Sequence, residues 1–108
     1  MIEIRKDDDD RYRFNLKNAS GRTILHSVAF QNKDEAAKTV AELLPLVNKN
    51  TGFERKTNYE GKFLFNIKNT RGEIIGQSTL FASEAGMENG IETVKNRIVS
   101  ISSSIKNL

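Results

Sequence analysis

The chain has 108 residues, of which 37% are hydrophobic and 29% charged, and it carries a net charge of +3 at pH 7. It contains no cysteine, which excludes disulfides, thiolate chemistry and cysteine-ligated metal sites. This composition predicts a single soluble globular domain, and the mild positive charge permits binding to anions without requiring it.

The N-terminal residues lack the apolar stretch of a signal peptide, and no uninterrupted apolar run reaches membrane length. We therefore expect a cytoplasmic protein. A first short strand is predicted over residues 2–6, followed by an acidic turn at residues 7–10. Tyr12, Phe14 and Leu16 then alternate with polar residues, which predicts a second strand with one buried and one wet face.

The motif Asn-x-x-Gly at residues 18–21 predicts a tight hairpin, because Asn bonds to its own backbone and Gly accepts positive φ. The β-branched and aromatic residues at 24–30 predict the returning strand. A helix follows, with Asn32 as its N-cap and Glu35 three residues on. Its apolar residues fall on one face at helical spacing and are Ala36, Val40, Leu43, Leu44 and Val47. Pro45 predicts that this helix ends or bends near Leu44.

The second half predicts the same elements. Strands are expected at 53–57, 63–67 and 74–81, with turns at 58–61 and at the Asn-x-x-Gly motif of 69–72. Ser83 is the predicted cap of a second helix, whose apolar stripe is formed by Met87, Ile91, Val94 and Ile98. Because serines are mediocre helix residues, we expect this helix to end near Val99 and a short extended tail to follow.

An internal repeat underlies this similarity. The segment 14–18, Phe-Asn-Leu-Lys-Asn, returns at 65–69 as Phe-Asn-Ile-Lys-Asn, a shift of 51 positions. The same ungapped shift relates Glu3 to Glu54, Gly21 to Gly72, Ile24 to Ile75, Ser27 to Ser78 and Phe30 to Phe81.

A unit of about 50 residues lies near the lower size limit for independent folding, so each copy needs the other. We predict an α+β fold in which two tandem βββα repeats form one antiparallel sheet, with both helices on one face and a pseudo-two-fold axis. The predicted single domain spans residues 1–108, with repeats at about 1–50 and 52–102 and a short tail at 103–108. Because the repeats pair within the chain, a monomer is expected.

The repeated motif resembles that of the YegP-like family of small tandem-repeat proteins. Its pattern is Phe-x-Leu/Ile-Lys-Asn-x-x-Gly-x-x-Ile-x-x-Ser, with an aromatic at Phe30 or Phe81 and the helix segment 90–94, Gly-Ile-Glu-Thr-Val. The resemblance implies a single sheet built from two β-rich repeats with helices on one side. The mild departures from the family pattern are Ser20 and Arg71 before the hairpin glycines and Thr39 in the first helix. The resemblance assigns no catalytic or binding residue to this chain, because the proteins of that family are uncharacterised.

No catalytic constellation is visible in the sequence. His26 is the single histidine, and Gln77 stands at the matching repeat position, which favours a polar strand residue over a general base. An enzyme would need a pocket that joins His26 to a carboxylate such as Glu73. The run 7–10 lacks the spacing of a calcium loop, and a solvated acidic turn is favoured. We therefore expect no enzyme, no metal site and no cofactor.

Charge is distributed unevenly over the predicted sheet. If Phe14 and its neighbours face the helices, the basic residues of the strands share the opposite face: Arg5, Arg11, Arg13, Lys17, Lys56, Lys62 and Lys68. Five of these, Arg11, Arg13, Lys17, Lys62 and Lys68, are candidates for anion binding. The alternative is that they keep a half-exposed sheet soluble, with Glu3 and Glu54 neutralising part of the patch, and this alternative is favoured.

Repeated polar residues are a second set of candidates: Asn15, Asn66, Ser27 and Ser78. Hydrogen bonding to the backbone is their favoured role. The sequence thus favours a non-enzymatic binding or interaction module. The alternative is weak binding of nucleic acid or another polyanion through the basic sheet face, and an acidic protein surface is the other partner considered.

Overall fold

The computed structural model describes the backbone of residues 2–48 and 52–106 and the side chains of residues 2–46 and 52–100. Within these ranges the chain forms six strands and two helices. They are β1 (Ile2–Lys6), β2 (Tyr12–Lys17), β3 (Thr23–Ser27), α1 (Lys33–Asn48), β4 (Phe53–Thr57), β5 (Phe63–Lys68), β6 (Ile74–Ser78) and α2 (Glu84–Lys106). The bounds predicted for β1 and β4 agree with these.

The strands form one sheet in the order β1-β2-β3-β6-β5-β4, and all neighbouring strands are antiparallel. β3 and β6 lie in the middle and pair with each other, with His26 opposite Gln77. Strands from the two halves of the chain therefore meet at the centre of the sheet. The predicted α+β class, with one antiparallel sheet and two helices, is confirmed.

Four hairpin turns of the described chain share one hydrogen-bonding pattern. In each, a side-chain oxygen of Asp or Asn accepts the backbone N–H groups two and four residues further on. The four residues are Asp7, Asn18, Asn58 and Asn69. Such side chains specify tight turns, which confirms both Asn-x-x-Gly hairpins. It also shows that the acidic run at 7–10 is a turn of the same kind.

The third residue after each turn-forming side chain has a positive φ. The values are 61° at Asp10, 85° at Gly21, 76° at Gly61 and 80° at Gly72. A Cβ added at Gly61 would meet nothing within 4 Å, so only backbone strain opposes a side chain there.

Replacing Gly61 by alanine is expected to lower the free energy of unfolding by about 1 kcal/mol, because a Cβ is strained in the left-handed region. Gly61→Asn should cost less, since Asn tolerates this conformation and Asp10 adopts it in the first half. Urea denaturation of the two variants measures the difference. A Gly61→Ala protein as stable as the parent would contradict the backbone argument.

β3 and β6 are shorter than predicted. The strands expected over 24–30 and 74–81 end at Ser27 and Ser78. Beyond them lie two isolated bridges, Tyr12 with Phe30 and Phe63 with Phe81. The physical reason is a side-chain hydroxyl in the sheet, because Ser27 Oγ accepts the Phe14 N–H at 2.8 Å and thus replaces a backbone carbonyl. Ser78 does the same for Phe65 at 2.9 Å.

The predicted cap of α1 is confirmed, since the Glu35 N–H donates to Asn32 Oδ1 at 2.9 Å. Near Leu44 the sequence predicted an end or a bend of this helix, and the end is wrong, because α1 continues through Pro45 to Asn48. Pro45 is exposed and lies in the last turn, where water can bond the carbonyl that its missing N–H leaves unpaired.

The cap of α2 is also as predicted, because the Gly86 N–H donates to Ser83 Oγ at 3.0 Å. The extended tail after Val99 is wrong, since the helix runs to Lys106. Serine disfavours a helix by only a few tenths of a kcal/mol, and no Gly or Pro follows Gly90 in the helix to stop it. Residues 107 and 108 lie outside the described chain. Over the ranges described, neither helix has the length and apolarity needed to cross a membrane.

Both helices and the sheet contribute to one hydrophobic cluster. Its members include Phe14, Leu16, Leu25, Phe65 and Ile67 from the strands, Leu43 and Leu46 from α1, and Met87, Ile91, Val94 and Ile98 from α2. The predicted stripe of α2 is therefore confirmed. In α1, Leu46 is buried while Leu44 is only partly buried, and the side chain of Val47 lies outside the described ones.

Gly90 lets α2 pack closely on the sheet. A Cβ added at Gly90 would lie 2.5 Å from the ring of Phe81, which is far inside van der Waals contact. Any larger residue at this position would displace the Phe81 ring or the helix.

Candidate binding surface on the open face of the sheet

The strand register separates two faces of the sheet, because successive side chains of a strand point to opposite sides. Phe14, Leu16, Phe65 and Ile67 are buried in the cluster that includes both helices, as predicted. The side chains between them point away from the helices, and we call this side the open face. Its residues are Glu3, Arg5, Arg13, Asn15, Lys17, His26, Glu54, Lys56, Leu64, Asn66, Lys68 and Gln77.

Six polar residues form a line across the open face, one from every strand. Consecutive members of the line are opposite each other in the strand register. In sheet order they are Glu3, Asn15, His26, Gln77, Asn66 and Glu54, and we call this set the polar row. Sequence reasoning found its Asn residues but missed the row, because the row depends on which strands are neighbours.

Hydrogen bonds join neighbouring members of the polar row on both sides of its centre, which lies between His26 and Gln77. His26 Nδ1–H donates to Asn15 Oδ1 at 3.1 Å. On the other side Gln77 Nε2 donates to Asn66 Oδ1, and Asn66 Nδ2 donates to Glu54 Oε1, both at 3.0 Å. Asn66 is buried, with 1% of its surface exposed, whereas His26 and Gln77 are exposed. The centre of the row therefore presents hydrogen-bonding groups to solvent.

Each terminal glutamate of the polar row contacts two cations. Glu3 lies 2.6 Å from Arg5 Nε and 3.7 Å from Lys17 Nζ. Glu54 pairs with Lys68 and lies 3.7 Å from Lys56 Nζ. The hydrogen bonds from Lys68 and then from Asn66 hold the pKa of Glu54 below its ordinary value, so this carboxylate stays ionised. Because cations outnumber the glutamates, both ends of the row remain positive.

A further ion pair joins Arg13 to the first turn. Arg13 Nε donates to Asp7 Oδ2 at 3.0 Å, and Arg13 Nη1 donates to the Ser27 carbonyl at 3.2 Å. The hydrogen bond from Arg13, followed by that from the Arg11 backbone, lowers the pKa of Asp7. A lowered folded-state pKa stabilises the fold above the unfolded-state value, and this stability is lost as the pH falls through the folded value.

Asp7→Asn should flatten the acid side of the stability profile. Asn keeps the oxygen that the turn needs, as Asn58 shows in the second half, but it does not titrate. We expect the free energy of unfolding to fall less steeply below about pH 4 in the variant than in the parent. Denaturant titrations over a pH series measure this slope, and identical slopes would show that Asp7 contributes nothing to acid stability.

The candidate anion-binding residues Arg13, Lys17 and Lys68 lie on the open face and pair with acids. Arg11 and Lys62 immediately precede β2 and β5. Among the described residues, no carboxylate lies within 4 Å of the guanidinium of Arg11 or the ammonium of Lys62, although the Arg11 backbone N–H donates to Asp7 Oδ1. Among the repeated polar candidates, Asn15 and Asn66 belong to the polar row. Ser27 and Ser78 do not reach the surface, since only 3% and 6% of each is exposed, and their hydroxyls bond to the backbone.

The structure does not join His26 to Glu73. Glu73 lies in the hairpin between β5 and β6, where it accepts from Asn69 Nδ2 at 2.9 Å and pairs with Arg71 at 2.8 Å. Within the described chain, no group of three His, Asp or Glu side chains is placed to hold a metal ion.

Arg55, a basic residue of edge strand β4, lies on the helix side instead. Arg55 alternates with the open-face residues of β4 and makes a bidentate pair with Glu88 of α2, with distances of 2.7 and 2.9 Å. Hydrogen bonding raises the pKa of Arg55 and lowers that of Glu88. The pair joins edge strand β4 to α2. Strand alternation predicts the side on which Arg55 lies, but no sequence signal identified its partner.

A shallow groove lies between α1 and the hairpin that joins β5 to β6. Glu42, Asn69 and Arg71 line it, together with the partly exposed Ile74 and Val28. Its charged groups are of both signs, and Arg71 pairs with Glu73, so the groove carries no clear preference for a ligand.

Comparisons with known proteins identify relatives over most of the chain. Residues 59–98 match the domain of unknown function DUF1508. The UPF0339 protein YegP of Escherichia coli K12 is 38% identical over 94 residues, which cover 87% of this chain and 86% of that protein. The UPF0339 protein PA0329 of Pseudomonas aeruginosa is 37% identical with the same coverage.

Two solution NMR structures are similar in fold. The structure of E. coli YegP, described as a protein of unknown function, has a TM-score of 0.84 at 36% identity and covers 90% of this chain and 84% of its own. The UPF0339 protein SO3888 of Shewanella oneidensis has a TM-score of 0.85 at 27% identity, covering 90% and 82%. The predicted resemblance to YegP-like proteins is thus confirmed, and the chain belongs to the UPF0339 family of which YegP is a member.

Proposed function

We propose that the chain is a non-enzymatic binding module whose binding surface is the open face of the sheet. The observation that carries this proposal is the polar row, which crosses all six strands on a face that neither helix covers. The amide and imidazole groups of this row can both donate and accept hydrogen bonds, whereas the Lys and Arg side chains around them only donate. Binding through exposed hydrogen-bonding groups explains this choice of residues.

The centre of the polar row has unused hydrogen-bonding capacity. Within the described chain, His26 Nε2 and Gln77 Oε1 have no hydrogen-bond partner, and both side chains are exposed. The outer members, by contrast, are held by hydrogen bonds or ion pairs. Groups fixed at the periphery lose little conformational entropy when a ligand binds the centre, which favours recognition at this place.

We also propose that the domain, residues 1–108, is a tandem duplication of a βββα unit with a pseudo-two-fold axis between His26 and Gln77. The shift of 51 residues supports this, because it relates the Phe14–Ser27 hydrogen bond to the Phe65–Ser78 bond. The arrangement of the sheet is consistent with the same axis. Such a duplication assembles the open face from two equivalent halves.

A second candidate function is binding of polyanions through the basic ends of the open face. Arg11 and Lys62 favour it, because among the described residues no carboxylate lies within 4 Å of their charged side-chain groups. The other basic residues form ion pairs, but they outnumber the glutamates, so each end of the row keeps a positive charge. A positively charged surface attracts anions.

An NMR titration tests whether the open face binds. Backbone amide shifts are recorded during titration with mixed-sequence RNA, mixed-sequence DNA and polyglutamate at low salt. We expect the largest shifts at Asn15, His26, Asn66 and Gln77. The double variant His26→Ala, Gln77→Ala should weaken binding, whereas Asn89→Ala on the exposed side of α2 should not. Shifts centred on the helices, or no shifts with any probe, would contradict the proposal.

A further inference from the structure

Charge on the open face is divided between its two sides. Arg5, Arg13 and Lys17 lie on β1 and β2, and Lys56 and Lys68 lie on β4 and β5. We call these two groups the basic zones. The middle strands, β3 and β6, contribute His26 and Gln77, which are neither lysine nor arginine. The surface therefore has two positive margins with a hydrogen-bonding strip between them.

Strand spacing sets the distance between the basic zones. Neighbouring strands are about 4.8 Å apart, so β2 and β5 are separated by about 14 Å and the edge strands β1 and β4 by about 24 Å. A partner that matches this surface has two rows of negatively charged groups at this separation, with polar groups exposed between the rows. The two phosphate backbones of a nucleic-acid duplex, with a groove between them, have this arrangement.

The shape of the face distinguishes between duplexes. A sheet face carries no protruding element, whereas the major groove of B-DNA is about 8.5 Å deep and its minor groove only about 6 Å wide. The minor groove of A-form RNA is wide and shallow and displays 2′-hydroxyls, which donate and accept hydrogen bonds. Amide and imidazole side chains suit these hydroxyls because they also do both.

Single strands fit the face less well. Proteins that bind single-stranded nucleic acid stack its bases on aromatic side chains. The aromatic residues of β2 and β5 point to the helix side, where Phe14 stacks with Phe30 and Phe65 with Phe81. None of the described open-face residues is aromatic.

We propose that the open face binds double-stranded RNA across its minor groove. The basic zones contact the phosphates of the two strands, and His26 and Gln77 contact 2′-hydroxyls between them. This inference rests on the proposed function of the open face. It also predicts recognition by shape with little dependence on base sequence, since the strip carries too few groups to read a sequence.

Fluorescence anisotropy tests the inference with matched probes: a short mixed-sequence RNA duplex, the DNA duplex of the same sequence, one RNA strand alone and polyglutamate. The RNA duplex is expected to bind more tightly than the other three, with affinity that falls as salt rises. The open-face NMR shifts described above are recorded with the tightest probe.

Two double variants and one control variant separate the contribution of the cations from that of His26 and Gln77. Arg11 and Lys62 extend the basic zones at the start of β2 and β5, so Arg11→Gln with Lys62→Gln should lower the affinity for both duplexes. The salt slope should fall by about 1 for each phosphate that is no longer bound. Lys33→Gln with Lys38→Gln on α1 removes the same charge from the helix side and should leave binding unchanged. His26→Ala with Gln77→Ala should remove the preference for RNA over DNA while the salt slope stays the same.

The outcomes distinguish this inference from the proposed function. Equal or tighter binding of DNA or of single-stranded RNA, with shifts on the open face, overturns the inference and leaves the binding surface in place. If polyglutamate binds the open face and no nucleic acid does, the inference is likewise overturned and the binding surface stays in place. If no probe binds the open face, both are overturned.

Discussion

Replacing Phe65 by alanine is expected to lower the free energy of unfolding by about 3–5 kcal/mol. Phe65 is fully buried. Its ring contacts Phe53 edge-on at 5.7 Å and stacks with Phe81 at 6.2 Å between centroids. Truncation removes these contacts and leaves a cavity that the sheet and α2 cannot close.

Phe14→Ala is the matched variant in the first half, since Phe14 is equally buried and stacks with Phe30 at 6.1 Å. The two variants should destabilise the protein to a similar extent. Tyr59→Ala is the control, because Tyr59 is fully exposed in a turn. Urea denaturation measures all three, and a loss below about 1 kcal/mol for Phe65→Ala would show that the ring is not central to the core.

The second large effect is expected from the two buried serines. Ser27→Ala and Ser78→Ala should each lower the free energy of unfolding by about 1–3 kcal/mol, because each leaves a buried backbone N–H without its acceptor. The affected groups are the N–H of Phe14 and the N–H of Phe65. Since the two hydroxyls share no partner, the two decreases in stability should add in the double variant.

Hydrogen exchange provides an independent measure of the same bonds. The amides of Phe14 and Phe65 should exchange faster in the respective variants, while amides of α1 should change less. Thr70→Ala, an exposed hairpin substitution, is the control. Serine variants as stable as the parent would show that the two hydroxyls are not needed as acceptors for the backbone N–H groups of Phe14 and Phe65.

Much of the fold follows from local patterns. Alternation along β2 and β5 predicts their buried side correctly, because a strand has only two faces. The four turns follow from Asx chemistry and left-handed positions, and the caps at Asn32 and Ser83 from the need to bond the first N–H groups of a helix.

The misses occur where local propensity competes with longer-range contacts. β-branched and aromatic residues continue beyond Ser27 and Ser78, so propensity alone extends both strands, but a hydroxyl breaks the ladder there. Conversely, Pro45 and the C-terminal serines disfavour helix only weakly, and both helices continue past them.

The candidate site was predictable only in part. The side of the sheet on which Asn15, Asn66 and the basic residues lie follows from alternation. The polar row does not, because His26 meets Gln77 only when β3 pairs with β6. The ion pair of Arg55 with Glu88 could not be predicted from the sequence either, since it joins residues from different elements.

The open face exists only if the two halves share one sheet and one core, because His26 and Gln77 come from different halves. The most direct test is to express residues 1–50 alone and to measure its folding by circular dichroism and its mass in solution by sedimentation. A unit of this size is expected to be unfolded, or to form a dimer in which a second copy replaces the missing half. A stably folded monomer would contradict the shared core.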